Sequence, residues 1–226
     1  MKLVHWVRDY AYAARGHGLA FLSRKPPAHY LNYVEKGRAP IVLIPGIYTK
    51  WHFLKAIADP LSRRGHPIYA IDKLGYNTDE VRNAAKLVRG FIDEKNLQNV
   101  IIVAHSKGGL IGKYLLVRYN EDSRVRKMIA IATPFGGSCL VHLIPHRAAK
   151  ELAPESEIVH ELKNEKDVNR SIVSIFGLFD NHVWPTSSCR LDGAKNIQLP
   201  VYGHHKILFS KETRDIVFRE VEAVKY

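Results

Sequence analysis

The sequence predicts an α/β fold built on a mostly parallel sheet with helices on both faces. Short apolar segments alternate with longer segments in which apolar residues recur at helical spacing, which is the pattern of βαβ units. The strand segments, such as residues 41–44 and 100–103, are continuous apolar runs typical of parallel strands that are covered on both faces. The chain has 226 residues, 46% of them hydrophobic, which is enough for one sizeable core.

From residue 39 onward these elements follow one another in a single predicted domain, residues 39–226. The predicted strands cover residues 41–44, 67–71, 100–103, 125–132, 171–178 and 196–201. The predicted helices cover residues 51–64, 77–92, 107–119 and 211–224. Asn77 and Glu80 have the spacing of a capping box at the start of the second helix. The largely polar segment 139–170 is a candidate for a small cap over a substrate pocket.

Residues 1–38 form a basic N-terminal extension. They hold seven Lys or Arg residues against two Asp or Glu residues, a local charge of +5. Apolar residues recur at helical spacing on one face, namely Leu3, Val7, Tyr10 and Ala14. Two interpretations stay open: a helix packed on the main domain, or a basic amphipathic helix lying on a membrane surface.

The composition excludes several classes of protein. Two cysteines cannot form a disulfide-rich scaffold, and we expect Cys139 and Cys189 to be two buried thiols. No apolar run approaches the ~20 residues that span a bilayer. Because His5, Arg8 and Asp9 interrupt the first apolar stretch, we expect no signal peptide and a cytoplasmic location.

The net charge and the motifs limit the partners and cofactors that we expect the protein to bind. The net charge of +12 fits an anionic partner, and it also fits mere solubility, which is the more common reason for such a charge. We expect an acidic membrane surface rather than nucleic acid as the anionic partner. The sequence has no P-loop and no dinucleotide fingerprint, and no His/Cys/Asp cluster has metal-ligand spacing. We therefore expect neither a cofactor nor a metal.

The segment VIIVAHSKGG, residues 100–109, carries the clearest chemistry. A buried strand runs into A-H-S-K-G and then into a helix, which is the context of a nucleophile elbow. That tight turn needs small residues two before and two after the serine, and Ala104 and Gly108 meet this need. Ser106 is thereby predicted as a nucleophile at the end of the sheet, with His105 and Lys107 beside it.

A serine nucleophile needs a base that is oriented by an acid. In this context the chain order is Ser, then Asp or Glu, then His, and each follows a strand. Asp180 follows the strand SIVSIFGLF, and His204 follows NIQLPVY through a glycine. Asp192, which lies in a Leu-Asp-Gly turn, competes for the role of the acid, and His205 competes for that of the base.

Two backbone N–H groups are candidates for an oxyanion hole. The Lys107 N–H begins the helix after the nucleophile. The Ile47 N–H lies in the loop PGIYT after the first strand of the domain, where Gly46 lets the chain approach a substrate. Residues 133–138, TPFGGS, follow another strand and either approach the pocket or form an ordinary turn.

These segments resemble a known family. AHSKGG, the PGI loop, FDNHV and RLDGAKNIQLPVYGHHKILFS are similar to motifs of the small class-2 bacterial lipases, which are minimal α/β-hydrolases. The resemblance spans about residues 40–210. It implies an α/β-hydrolase fold in which Ser106 is the nucleophile, Asp180 the acid and His204 the base. It also implies that Ile47 and Lys107 donate to the oxyanion.

The sequence therefore predicts a serine hydrolase that cleaves a carboxylic ester of a lipid or other acyl compound. A thioesterase or an acyltransferase with the same residues is the alternative within the enzyme class. A non-catalytic protein of the same fold that binds anionic membranes is the alternative outside it.

The charge of residues 1–38 yields a first testable prediction. We expect the chain to sediment with anionic vesicles at low salt, and removal of residues 1–25 to lower the bound fraction, because basic residues near acidic lipids are attracted and salt screens the attraction. An unchanged bound fraction after the truncation would contradict a membrane role for this segment.

Overall fold

The computed structural model describes residues 2–23, 25–144 and 147–224. At its centre is a six-stranded sheet in which all neighbouring strands are parallel. The strands are β1 (Ile41–Ile44), β2 (Ile68–Ala70), β3 (Val100–His105), β4 (Val125–Ile131), β5 (Ile172–Phe179) and β6 (Lys195–Tyr202). They lie in the order β2-β1-β3-β4-β5-β6, so the predicted fold class is confirmed.

Eight α-helices accompany the sheet in the described part of the chain. They are α1 (Lys2–Leu22), α2 (His29–Asn32), α3 (Lys55–Ser62), α4 (Val81–Glu94), α5 (Lys107–Arg118), α6 (Arg147–Lys150), α7 (Glu157–Asn164) and α8 (Lys211–Glu222). The helix predicted over residues 51–64 is divided into a 3-10 turn at Trp51–Leu54 and α3. The first turn is tighter because the Phe53 N–H donates to the Lys50 carbonyl, three residues back.

The prediction that a capping box begins a helix at Asn77 is wrong. The helix α4 begins at Val81, and the side chain of Glu80 makes no capping hydrogen bond. Asn77 has a φ of +54°. Its Nδ2 donates to the carbonyl of Pro45 at 2.6 Å. The amide side chain is therefore used to hold the loop after β1, which is why it caps no helix.

The helices cover both faces of the sheet, because successive strand residues point to opposite sides. On β1, Ile41 and Leu43 belong to a core with residues of α1, α2, α3 and α8. Val42 and Ile44 belong to a second core with residues of α4, α5 and α7. The chain moves from β1 outward to β2 and then returns past β1 to β3. The crevice at the carboxyl ends of β1 and β3 is therefore a switch point, where open α/β sheets bind ligands.

Helix α1 is held to this sheet edge by a buried carboxylate. Asp9 is fully buried, and its Oδ1 accepts hydrogen bonds from the N–H groups of His205 at 2.7 Å and Lys206 at 2.8 Å. Its Oδ2 lies 2.9 Å from His205 Nδ1. A Cβ on Gly203, whose φ is +127°, would lie 2.5 Å from Asp9 Oδ1. This close approach therefore requires a glycine.

Three apolar residues of α1 that the sequence pattern singled out lie at the surface, and two of them, Tyr10 and Ala14, also line a cavity at the carboxyl edge of the sheet. Val7, Tyr10 and Ala14 are exposed, whereas Asp9, one helical turn before the buried Ala13, faces the domain. Leu3 has a side chain outside the described residues. Binding of this exposed face to an anionic membrane stays a prediction, and Val7→Glu tests it with less damage to the fold than a truncation that removes Asp9.

Two further predictions concern cysteines and membranes. Cys189 is a buried free thiol as expected, but Cys139 is exposed, so the expectation of two buried thiols is wrong for Cys139. It lies at the start of a 3-10 turn in the segment 139–170, at the surface of the molecule. Among the described residues, no helix is long and apolar enough to cross a membrane.

The buried carboxylate yields a prediction about stability. Burial opposes the ionisation of Asp9, but the hydrogen bond and charge of His205 and the Lys206 N–H outweigh it and lower the pKa of Asp9. The ionised form therefore stabilises the fold above the ordinary carboxyl pKa, and this contribution is lost as the pH falls through the lowered value. We expect Asp9→Asn to reduce the free energy of unfolding at pH 7 by about 2–4 kcal/mol, because all three of its donors lose a charged acceptor.

Urea unfolding at pH 7 measures this effect, with the exposed Asp167→Asn as the matched control. A loss below about 0.5 kcal/mol in Asp9→Asn, the range of ordinary surface substitutions, would show that the carboxylate does not hold α1.

Candidate active site

Ser106 lies at the sharp turn between β3 and α5. Its φ of +52° is unusual for a residue with a side chain, and such strain is found where the surrounding structure imposes it. The turn is held because the Ser106 N–H donates to the Ile131 carbonyl at 2.9 Å, and the Gly109 N–H donates to the Ser106 carbonyl at 3.0 Å. The serine side chain is thereby presented at the carboxyl edge of the sheet.

The turn requires small residues because the start of α5 touches neighbouring elements. A Cβ on Gly108 would lie 2.2 Å from the Ile44 carbonyl oxygen, and one on Gly109 would lie 2.0 Å from Thr133 Oγ1. Ala104, two residues before the serine, is completely buried. A larger side chain at Gly108 would push α5 away from β1, and one at Gly109 would push it away from Thr133.

The loop after β1 lies against the nucleophile. A Cβ on Gly46 would be 3.1 Å from Ser106 Cβ. The loop is fixed by Thr49, whose Oγ1 donates to the Gly46 carbonyl at 2.9 Å. Within the described ranges, the N–H groups of Ile47 and Lys107 donate to no protein acceptor. Both groups are therefore available to a substrate oxyanion.

His204 and Asp180 form a buried hydrogen-bonded pair. His204 Nδ1 lies 2.8 Å from Asp180 Oδ2, and the two residues follow the neighbouring strands β6 and β5. The other carboxylate oxygen of Asp180 accepts from the N–H groups of His182 at 2.7 Å and Val183 at 2.8 Å. The His204 N–H donates to Asn181 Oδ1 at 3.0 Å. These bonds fix both the position and the tautomer of the imidazole.

Burial determines the protonation of the histidine. It is the largest cause that lowers the pKa of His204 below 6.5, and the nearby His205 lowers it further. The ring is therefore neutral at pH 7 and able to accept a proton. Burial also raises the pKa of Asp180, while the N–H groups of His182 and Val183 favour its ionised form.

Ser106 and His204 line the same cavity, whose volume is about 590 Å³. No hydrogen bond joins Ser106 Oγ to the His204 ring among the residues that the structure describes, and such bonds often shorten only when substrate binds. His105, next to the nucleophile, lies with its Nε2 3.1 Å from the His204 carbonyl oxygen. Ser106 and His204 are thus linked through the residue that precedes Ser106.

The cavity is mainly apolar. Its apolar lining includes Trp6 and Tyr10 of α1, Ile47 of the loop after β1, and Leu140, Val141 and Leu143 of the segment 139–170. The proposed cap segment and the N-terminal helix thus each form part of the wall. A pocket of this size and lining suits an extended apolar group.

Lys107 connects the nucleophile turn to the cap segment. Its Nζ, which is buried, donates to the Asp79 carbonyl and lies 3.6 Å from Glu151 Oε2. Burial lowers the pKa of Lys107 and raises that of Glu151, and their attraction opposes both changes. The Val81 N–H also donates to this carboxylate. One buried cation therefore ties the turn, the segment before α4 and the cap together.

The residues that were the alternatives for the acid and the base lie elsewhere or have other partners. Asp192 is exposed and pairs with Lys166 at 3.0 Å. His205 lines the cavity as well, but its ring is paired with Asp9. In the segment 133–138, the Gly136 N–H donates to the Ser188 carbonyl at 2.9 Å, as in a structural turn.

Sequence reasoning missed Asp9. The only available signal was that Asp9 is the single acidic residue of α1 and lies one turn before Ala13 and two turns before Gly16, on the side with the smallest residues. His204 and His205 both line the cavity, and their perpendicular rings lie 5.2 Å apart. Successive side chains point to opposite sides of the sheet only within the strand, and β6 ends at Tyr202. The two histidines lie beyond it, so both can face the cavity.

Two groups of side chains lie close enough to hold a metal ion, with ligand atoms within 4.8 Å of one another. One group is Asp9, His182 and His205, and the other is Asp180, His182 and His204. In both groups the carboxylate already accepts a histidine N–H and two backbone N–H groups. Both carboxylates are thus satisfied within the protein, whereas Nδ1 of His182, a residue that belongs to both groups, has no hydrogen-bond partner among the described residues.

The fold is shared with solved structures of low sequence identity. A Bacillus licheniformis lipase, BlEst2, in its mature form is 14% identical with a TM-score of 0.66, over 84% of this chain and 95% of that one. The lin2722 gene product of Listeria innocua is 19% identical with a TM-score of 0.63, over 84% and 96%. A monoacylglycerol lipase of Paleococcus ferrophilus is 14% identical with a TM-score of 0.61, over 82% and 96%.

A family comparison agrees with these structures. The model of the alpha/beta hydrolase fold matches residues 39–154, which is just over half of the chain. The matched part contains the loop after β1, the turn at Ser106 and the start of the cap segment. The chain therefore belongs to the α/β-hydrolase fold family.

Proposed function

We propose that this protein is a serine hydrolase that cleaves carboxylic esters through an acyl-enzyme on Ser106. The observation that carries the proposal is the convergence at one sheet edge of a strained serine turn, a buried His–Asp pair and two unpaired backbone N–H groups. Each of these is needed for acyl transfer, and Ser106, His204 and Ile47 line one apolar cavity. The structural neighbours, which include lipases, support the coarser assignment to hydrolases.

The proposed reaction begins when Ser106 Oγ attacks the ester carbonyl and His204 Nε2 takes the serine proton. Asp180 holds the imidazole by Nδ1 and stabilises the imidazolium. The N–H groups of Ile47 and Lys107 donate to the oxyanion of the tetrahedral intermediate. His204 then gives its proton to the leaving alcohol, and the ester C–O bond breaks.

Water completes the cycle. His204 removes a proton from a water molecule, which attacks the acyl-Ser106 carbonyl, and the resulting intermediate collapses to a carboxylic acid and free Ser106. Gly46, Ala104, His105 and Gly108 support this chemistry by position, since they shape the turn and its neighbouring loop. No step requires a cofactor.

The substrate class follows from the cavity. Its apolar lining suits the acyl chain of a lipid-like ester, which would bury aliphatic surface against Trp6 and Leu140. The same residues would serve a thioesterase, or an acyltransferase if an acceptor alcohol replaced water. A non-catalytic membrane-binding protein would not need a neutral, oriented His204.

Ser106→Ala tests the proposal most simply. We expect the rate at which the folded variant hydrolyses p-nitrophenyl butyrate to fall by about 10³-fold or more. The residual activity would come from the oxyanion donors and from substrate binding. Initial rates at pH 8 measure the loss, with the exposed Ser187→Ala as the matched control. Near-normal turnover by Ser106→Ala, or no hydrolysis of any ester by the unaltered protein, would contradict the proposal.

The two adjacent histidines should differ in the same assay. We expect His204→Ala to lose about 10³-fold or more in kcat because the general base is gone. We expect His205→Ala to keep kcat within about tenfold while its thermal midpoint falls, since its partner Asp9 loses one hydrogen bond. If His205→Ala were the inactive variant and His204→Ala were active, the assignment of the base would be wrong.

A further inference from the structure

A second pocket adjoins the active-site cavity. It has a volume of about 720 Å³ and is lined by residues that include His17, Lys25, Lys50, Trp51 and Tyr76. His17 of α1 lines both this pocket and the cavity. The loop after β1 also borders both, since Pro45 lines the second pocket and Gly46 to Thr49 line the cavity. The loop that carries the Ile47 N–H therefore lies between the two spaces.

The second pocket is cationic. Within the described part of the chain, neither Lys25 nor Lys50 forms an ion pair. Lys50 Nζ lies 4.6 Å from the centre of the Tyr76 ring, which holds the ammonium group at the pocket wall. Asp72 is the sole acidic residue in the lining. Two unpaired ammonium groups beside one carboxylate give the pocket a net attraction for anions.

Stacked rings form part of the wall of this pocket. His52 is 2% exposed and stacks on Trp51, with ring centres 3.7 Å apart. Its Nε2 lies 2.6 Å from the Ser23 carbonyl oxygen, so Nε2 donates this hydrogen bond. The two rings are thereby held in place beside Lys50.

The active-site cavity and the second pocket differ in the chemical groups that they can bind. The cavity is apolar and contains Ser106, whereas the second pocket is cationic and lies across the loop that carries the Ile47 N–H. We propose that the substrate is an acyl ester or thioester whose leaving group carries a phosphate or carboxylate, which binds between Lys25 and Lys50 while the acyl chain fills the cavity. This inference rests on the proposed function.

The reaction balances without any change to the anion. The acyl C–O or C–S bond breaks, the leaving group takes the proton from His204, and water supplies the oxygen of the carboxylic acid. The lysines bind the phosphate or carboxylate and take no part in bond breaking. Their effect is therefore expected in KM for the anionic substrate rather than in kcat.

The test compares two soluble esters that differ by one group. The first is 1-hexanoylglycerol 3-phosphate and the second is 1-hexanoylglycerol, both used as monomers so that no lipid surface contributes. We expect the ratio of kcat/KM for the phosphorylated to the neutral ester to fall about tenfold or more in the Lys25→Gln/Lys50→Gln double variant, through KM, because two charge-assisted contacts are lost. The control Lys86→Gln, on the exposed side of α4, should leave the ratio unchanged.

Inorganic phosphate at constant ionic strength separates a leaving-group site from an independent phosphate site. Competition with the phosphorylated ester, and little effect on the neutral ester, supports the proposal. A change in turnover of the neutral ester at saturating phosphate would show an effector site and overturn it. An unchanged ratio in the double variant would also overturn it, and would assign these lysines to solubility or to membrane docking.

Binding to the Ser106→Ala protein makes the inference independent of turnover. Calorimetry of this variant with the two esters should show tighter binding of the phosphorylated one, and the preference should disappear when both lysines are replaced. If the unaltered protein hydrolyses neither ester but this preference is present, the proposed function fails while the anion site stands. Equal binding of both esters removes the anion site and leaves ester hydrolysis unaffected.

Discussion

The tight turn at Ser106 is the constraint on which the rest of the site depends. The start of α5 lies so close to β1 and to Thr133 that a Cβ on Gly108 or Gly109 would lie within about 2.2 Å of their atoms. This closeness brings the Ile47 loop against the serine and leaves the Lys107 N–H directed outward at the helix N-terminus, where partial positive charge favours an oxyanion. Any residue that widened the turn would separate the N–H groups of Ile47 and Lys107 from Ser106.

Two buried carboxylates hold the neighbouring part of the sheet edge in place. Asp180 accepts two backbone N–H groups and the His204 ring, and Asp9 accepts two backbone N–H groups and the His205 ring. The loop from Gly203 to Lys206 is therefore held from both sides. Because Asp9 lies on α1, the N-terminal helix is coupled to the loop that carries His204. The same helix forms one wall of the cavity.

Much of this arrangement could be predicted from the sequence. Continuous apolar runs identify β1 and β3, and the strand-end positions of Ser106, Asp180 and His204 follow from the same pattern. The failures concern contacts between segments far apart in the chain. Asn77 is recruited by the Pro45 carbonyl rather than by a helix, and the inward side of α1 is set by Asp9, whose partners lie 196 residues away or more. Local periodicity carries no information on either contact.

The proposed role of Ser106 as a nucleophile activated by His204 can be measured directly. The intact protein is treated with a fluorophosphonate, the peptides are analysed by mass spectrometry, and the rate of labelling is compared with that of His204→Ala. We expect one adduct, on the peptide that contains Ser106, and a rate of labelling that falls by at least tenfold without His204. An adduct on another residue, or no adduct in the folded protein, would contradict it.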